Sequence, residues 1–233
     1  MSGLGFCCVE CGSDKNGSKA YIEYSKGTLK LKRCVDCGNL VDKYVEFEWL
    51  LIIIDMMLLR LPPFRHVLRN VEISKSRYIK FFFLGILMRF YVQLFLLTKL
   101  KTYAQLERDW GFLLIITSQL LFVTLVEHVL IFSILFYLVK TYVSPETLKM
   151  HLLKAAILSN YCITINVPMT IWETPTSFVR ISEILVLAWL ILAIKAITEP
   201  HTSWNAVVMA VLIPFVLGFM MRVVLLNFLL PIE

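Results

Sequence analysis

Five apolar stretches, near residues 79–98, 112–139, 151–172, 180–198 and 205–230, come close to or exceed the roughly 20 residues that a helix needs to cross a bilayer. Such a chain cannot hide its apolar surface in a soluble core. Of its 233 residues 58% are hydrophobic and 17% charged, against about 25% charged in an average soluble domain. The expected architecture is therefore an all-α polytopic membrane helix bundle. Four or five spans are expected, because Lys154, Asn160, Asn166 and Pro168 lower the hydropathy of the third stretch.

The first 44 residues differ in kind, being polar, glycine-containing and rich in cysteine. Within them Tyr21-Ile22-Glu23-Tyr24 and the alternating Thr28-Leu29-Lys30-Leu31-Lys32 flank Ser25-Lys26-Gly27, a pattern that predicts a small hairpin. Three regions follow: a module over 1–44, a juxtamembrane segment over 45–78 and a transmembrane domain over 79–233. In the second region Trp49 to Leu59 carries only Asp55 as a charge. That run is too short to span, so it is expected to lie on the membrane and to be ended by Pro62-Pro63.

The sharpest chemical signal is a duplicated knuckle, Cys8-Val9-Glu10-Cys11-Gly12 and Cys34-Val35-Asp36-Cys37-Gly38. Two thiolates separated by two residues can reach one ion, and the glycine allows a tight backbone approach. Two such pairs complete a closed tetrahedral site of the structural-zinc type, with no position left for an activated water. The expected cofactor is one structural Zn2+ held by Cys8, Cys11, Cys34 and Cys37, in a zinc-ribbon-like β module. A disulfide framework would require an oxidising compartment, whereas Met1 to Cys11 lacks the basic and apolar regions of a secretory signal. The module is accordingly expected in the cytosol. Cys7 can be a spare thiol, a lipid attachment point or a substitute for Cys8; the spacing of the second pair favours Cys8.

Six basic residues (Arg60, Arg65, Arg69, Lys75, Arg77 and Lys80) precede the first long apolar run, opposed there only by Glu72. Trp49, Arg60, Arg65, Arg69 and Lys75 are expected at the interface, facing lipid head groups. Nucleic acid is not an expected partner, since the basic stretch abuts a membrane helix. Inside the apolar runs, Arg89, Glu127 and His128 stand out because an ionisable group in hydrocarbon is costly unless partnered. Glu127 and His128 can be accounted for by pairing with Arg89 or Asn160 of neighbouring helices. His66 reads as a surface or packing histidine.

Taken in order, Cys8-x-x-Cys11, Tyr21 to Gly27, Cys34-x-x-Cys37, Val41-Asp42-Lys43-Tyr44, Ile54-Asp55 and Arg65-His66-Val67-Leu68-Arg69-Asn70 make the chain resemble the Arv family. The resemblance implies a multi-pass protein of the endoplasmic reticulum membrane with a role in sterol trafficking and in sphingolipid and glycosylphosphatidylinositol-precursor homeostasis. Membrane lipids, sterol foremost, or a lipid-biosynthetic enzyme complex are the partners implied. No nucleophile–base pair, phosphate-binding glycine loop or paired carboxylate is legible, so no enzymatic activity is expected.

Overall fold

The computed structural model describes residues 6–17, 20–25, 28–72, 74–98, 110–140, 145–161, 177–199 and 202–229. The N-terminal module contains a two-stranded antiparallel sheet, β1 (Tyr21–Ser25) and β2 (Thr28–Leu31), in the register Tyr21↔Leu31 and Glu23↔Leu29. Cross-links between loops hold the rest: Val9 N–H donates to Val41 O at 2.9 Å, and Val41 N–H to Lys32 O at 2.8 Å. Asn16 is buried and binds Ser13 O at 2.9 Å through its amide, so this asparagine closes a turn.

Helix α1 (Trp49–Met57) uses a narrow stripe, Ile52 and Met56, to touch the protein core. Trp49, Leu50, Leu51, Ile53, Ile54, Met57 and Leu58 all point outward and are exposed. Leaving a side chain of this size in water forgoes about 1.5–3 kcal/mol each, and among the described residues this face has no protein cover. The helix ends before the prolines. Leu59 takes a left-handed conformation at φ 56°, and the N–H groups of Leu59 and Arg60 donate to Met56 O and Asp55 O at 3.0 and 3.2 Å. This is a Schellman stop, made without the usual glycine. Pro62 and Pro63 instead sit in the first turn of α2 (Leu61–Arg65), where a missing N–H costs nothing. A π-helical turn, His66–Asn70, continues it.

Five further helices follow: α3 (Lys75–Thr98), α4 (Trp110–Val139), α5 (Pro145–Tyr161), α6 (Ser177–Thr198) and α7 (Trp204–Leu229). Three stretches among the described residues are long and apolar enough to cross a membrane: Leu114–Val139, Ile181–Thr198 and Trp204–Phe228. They match the second, fourth and fifth expected spans. The segment expected as the first span is continuous helix in α3, but the expected total of four to five is not reached by these three. The third expected span is helical as far as Tyr161, and 162–172 lies outside the described residues. Helix α6 is the most enclosed of the three spans, packing on α2, α5, α7 and the π turn.

Two glycines sit where neighbouring helices approach closely. A Cβ at Gly218 of α7 would meet Ile131 Cγ1 of α4 at 2.8 Å, and one at Gly85 of α3 would meet Asn160 Cβ of α5 at 3.2 Å. Small residues at such crossings let backbones approach without a clash. Gly218→Val is expected to destabilise the bundle by about 1–3 kcal/mol, read as a lower thermal midpoint of the full-length protein in lipid nanodiscs. An unchanged midpoint would show that α4 and α7 are not in this contact.

Candidate metal centre and its clamp

The two knuckles fold as copies. In the first, Gly12 N–H donates to Cys8 O at 2.9 Å and Cys8 N–H to Ser13 O at 2.9 Å; in the second, Gly38 N–H donates to Cys34 O at 3.0 Å and Cys34 N–H to Asn39 O at 2.7 Å. Gly12 and Gly38 both require positive φ, 77° and 74°, which a side chain would strain. Each loop turns its pair of thiols inward. The Sγ atoms of Cys8, Cys11, Cys34 and Cys37 all lie within 4.8 Å of one another, and Cys8···Cys37 and Cys11···Cys34 are both 3.7 Å apart. Thiolates bound at about 2.3 Å around a tetrahedral ion are separated by about 3.8 Å, so the cluster fits a closed four-thiolate centre. Cys7 stays outside it. Its thiol is buried and lies against Cys8 O at 3.5 Å, apart from the four clustered sulfurs.

The module is locked to the segment that follows it by the run Arg65 to Asn70. Arg65 is only 5% exposed. Its Nη1 donates to Val9 O at 2.6 Å and Glu10 O at 2.7 Å, inside the first knuckle, while its Nε donates to Glu199 Oε2 at 2.8 Å. Glu199 follows the end of α6 and also approaches Lys195 Nζ at 3.5 Å. One guanidinium thus ties a metal knuckle to a membrane helix, which its rigid five-donor fork suits better than a lysine would. Gly12 leaves room for this pair, since a Cβ there would meet Glu199 Oε2 at 3.2 Å.

A second node is the fully buried Asp42. Its Oδ2 receives His66 Nδ1 and Asn70 Nδ2, both at 2.7 Å, and its Oδ1 accepts from Tyr44 N–H at 3.0 Å. Asn70 also accepts from Cys7 N–H at 3.0 Å and donates to Cys7 O at 2.9 Å. Arg69 binds Asp14 at 2.5 Å. From the membrane side, Lys154 of α5 donates to Leu68 O and Val71 O at 3.2 and 3.3 Å, satisfying carbonyls at the end of the π turn.

These placements correct part of the expected lipid-facing set. Trp49 and Arg60 are exposed, Arg60 bonding Asp55 at 2.9 Å. Arg65 and Arg69 turn inward instead, because carbonyls and carboxylates of the module offer them fixed partners. The Lys75 side chain lies outside the described residues. His66 is a buried ligand of Asp42, with no place at the surface. Asp14, Asp42 and Glu199 are partners that sequence reasoning missed; Asp42 stands inside the Val41–Tyr44 motif, whereas nothing in the sequence marks Asp14 or Glu199.

In the bundle, Glu127 is 1% exposed. Its Oε1 lies 3.4 Å from Arg89 Nη2 and 2.9 Å from Arg222 Nη2, and Arg222 reaches Glu183 at 3.3 Å. The structure brings Arg89 and Glu127 together as a pair and adds Arg222 and Glu183. His128 turns away from this group: its Nδ1 lies 2.8 Å from Thr124 O, and its ring is hydrogen-bonded by the side chain of Asn160 of α5, the other partner the sequence offered.

A sequence profile of the Arv1-like family matches residues 7–194. The chain is similar to Protein ARV 2 of Arabidopsis thaliana, 29% identical over 84% of this chain and 85% of that one. It is also similar to Protein arv1 homolog of Dictyostelium discoideum, 30% identical over 84% and 85%. Protein ARV1 of Homo sapiens matches over 67 residues only, at 34% identity, covering 29% of this chain and 24% of the human one. No solved structure matches.

Two outcomes are expected. Cys34→Ser opens the thiolate set and unfolds the module, with metal supplying on the order of 10 kcal/mol of folding free energy at such sites; zinc stoichiometry by atomic absorption and protease sensitivity of residues 1–44 read it. Asp42→Ala leaves two buried donors, His66 Nδ1 and the Tyr44 N–H, without their acceptor and is expected to cost about 3 kcal/mol, read as faster proteolysis of the module with the bundle intact.

Proposed function

This chain belongs to the Arv1-like family, and from that premise we propose that it is a non-catalytic mediator of sterol and lipid transport and homeostasis in the endoplasmic reticulum membrane. The observation that carries this reading is the pairing of a closed four-cysteine centre with a membrane bundle through Arg65 and Glu199. A centre whose four positions are filled by protein thiolates has no open site for chemistry, and the ion it suits is structural Zn2+. Bound zinc would supply folding energy to the module; the residues around it position that module at the membrane.

The outward face of α1 supports the same reading. Trp49, Leu50, Ile53, Ile54, Met57 and Leu58 offer a continuous apolar surface beside the module. The one carboxylate of the helix, Asp55, is neutralised by Arg60 and receives the Tyr44 hydroxyl at 2.8 Å. With its charge matched, α1 can lie in the membrane plane with Arg60 toward the head groups. In this reading the module lies on the cytosolic side of the membrane.

A second reading, an accessory subunit of glycosylphosphatidylinositol-anchor synthesis or sphingolipid metabolism, draws on the module's own exposed apolar side chains, Ile22, Val35 and Leu40. These would meet a protein partner. Full-length, zinc-loaded protein reconstituted alone in liposomes separates the two. A mediator of lipid transport is expected to move a fluorescent sterol between vesicle populations at a rate proportional to protein; no acceleration from folded, zinc-loaded protein would leave the accessory subunit.

A further inference from the structure

The two cysteine knuckles are copies in backbone but differ in what surrounds them. Val9, between the first pair of thiols, is fully buried in the cluster that includes Ala193 and Ile194 of α6, whereas its counterpart Val35 is 66% exposed. A Cβ on Gly12 would meet Glu199 and Arg65, at 3.2 and 3.6 Å; one on Gly38 would meet nothing within 4 Å. The carbonyls differ in the same way. Arg65 Nη1 donates to Val9 O and Glu10 O at 2.6 and 2.7 Å. Among the described residues no hydrogen bond reaches Val35 O or Asp36 O, and the exposed Arg33 beside that loop bonds Gly38 O instead.

The two carbonyls that Arg65 holds belong to the peptide units that serve the thiolate centre. Val9 C=O shares its peptide with Glu10 N–H, and Glu10 C=O shares its peptide with Cys11 N–H; both N–H groups face the Cys8 sulfur as donors. In the second knuckle the Asp36 and Cys37 N–H groups face Cys34 Sγ in the same manner. A cation bound at a carbonyl polarises that peptide and strengthens the donor at its other end, since hydrogen bonds in series reinforce one another. Arg65 therefore acts on one sulfur of the four, from behind two peptides and without touching it. Glu199 fixes its position, accepting from Nε at 2.8 Å. With Arg65 only 5% exposed, its charge is little screened by solvent ions.

We propose that Arg65 is an outer-sphere residue of the metal centre: it strengthens the hold of the first knuckle through the Val9 and Glu10 peptides, and leaves the second knuckle, with Cys34 and Cys37, as the arm that opens on metal release. The assignment rests on the closed four-thiolate centre proposed above and does not depend on what the bundle binds. Partners one step removed from metal ligands typically set metal affinity by about 10–100-fold. Because the end of α6 positions Arg65 in turn, metal retention is linked to that helix, and such linkage is reciprocal.

Full-length protein in nanodiscs tests this in two ways, the first without any variant. During zinc transfer to a chelator, brief iodoacetamide pulses read by mass spectrometry are expected to modify Cys34 before Cys8, both of them buried thiols. Cys8 first, or both together, would overturn the proposal. In the cobalt-loaded form, Arg65→Met is expected to move the sulfur-to-cobalt charge-transfer band to lower energy, as Cys8 loses its strengthened donors, and to speed metal loss to a chelator about 10–100-fold. Arg65→Lys keeps a cation but not a fork that reaches two carbonyls and Glu199 at once, and is expected to fall between. Arg69→Met removes the same charge from the same segment, on the Asp14 side, and is expected to leave the band in place. If Arg65 were a structural clamp alone, its variants would lose stability while the folded fraction kept its band and release rate; that result would overturn the proposal and leave the centre standing. Unaltered protein that binds neither cobalt nor zinc stoichiometrically would overturn both.

Discussion

The guanidinium of Arg65 is the interaction on which the arrangement of this molecule depends. It reaches two carbonyls of one cysteine knuckle and the carboxylate that ends a membrane helix, three partners from sequence-distant segments. A buried cation is tolerable only when its partners are this complete, and removing one of them typically costs about 3–5 kcal/mol. The module is too small to bury a substantial core of its own. Its Val9 instead joins the same apolar cluster as Tyr44, Phe64, Leu68 and residues of α6 such as Ala193 and Ile194. Metal ligation and the Arg65 clamp therefore act in series: the thiolates fix the carbonyl direction in the knuckle, and the knuckle carbonyls fix Arg65 against Glu199.

The bundle has a second ionic centre, near the middle of α4, with a different character. Glu127 serves two arginines, yet its Oε2 and the Nε atoms of Arg89 and Arg222 have no hydrogen-bond partner among the described residues. In hydrocarbon such incompletely satisfied groups are expensive and mark places where helix packing is specified or where a polar ligand can be received. Gly218 lies directly against it, since a Cβ there would come within 3.5 Å of Glu127 Cγ. Close approach of α4 and α7 is what lets Arg222 span from Glu127 to Glu183.

The sequence displayed what is periodic or locally spaced. The Cys-x-x-Cys-Gly pairs encode their own turns, and the hairpin and the three strongest apolar spans follow from alternation and run length. Long-range polar pairing left no such trace. Arg65 and Arg69 looked like interfacial cations because a basic run before a span usually is one, and nothing local announces that Glu199, 134 residues away, or Asp14 will receive them. The stop of α1 was misplaced for a related reason: Pro62-Pro63 is a conspicuous breaker, whereas a leucine in the left-handed conformation at position 59 is unmarked in sequence.

The most direct test of a metal module fixed to the membrane bundle through Arg65 is a double-mutant cycle of Arg65→Met and Glu199→Gln in full-length, zinc-loaded protein in nanodiscs, with thermal unfolding as the readout. The clamp predicts that each single change is destabilising and that the double change costs little more than the worse single one, a coupling of at least about 2 kcal/mol. Additive losses, or single changes without effect, would contradict it.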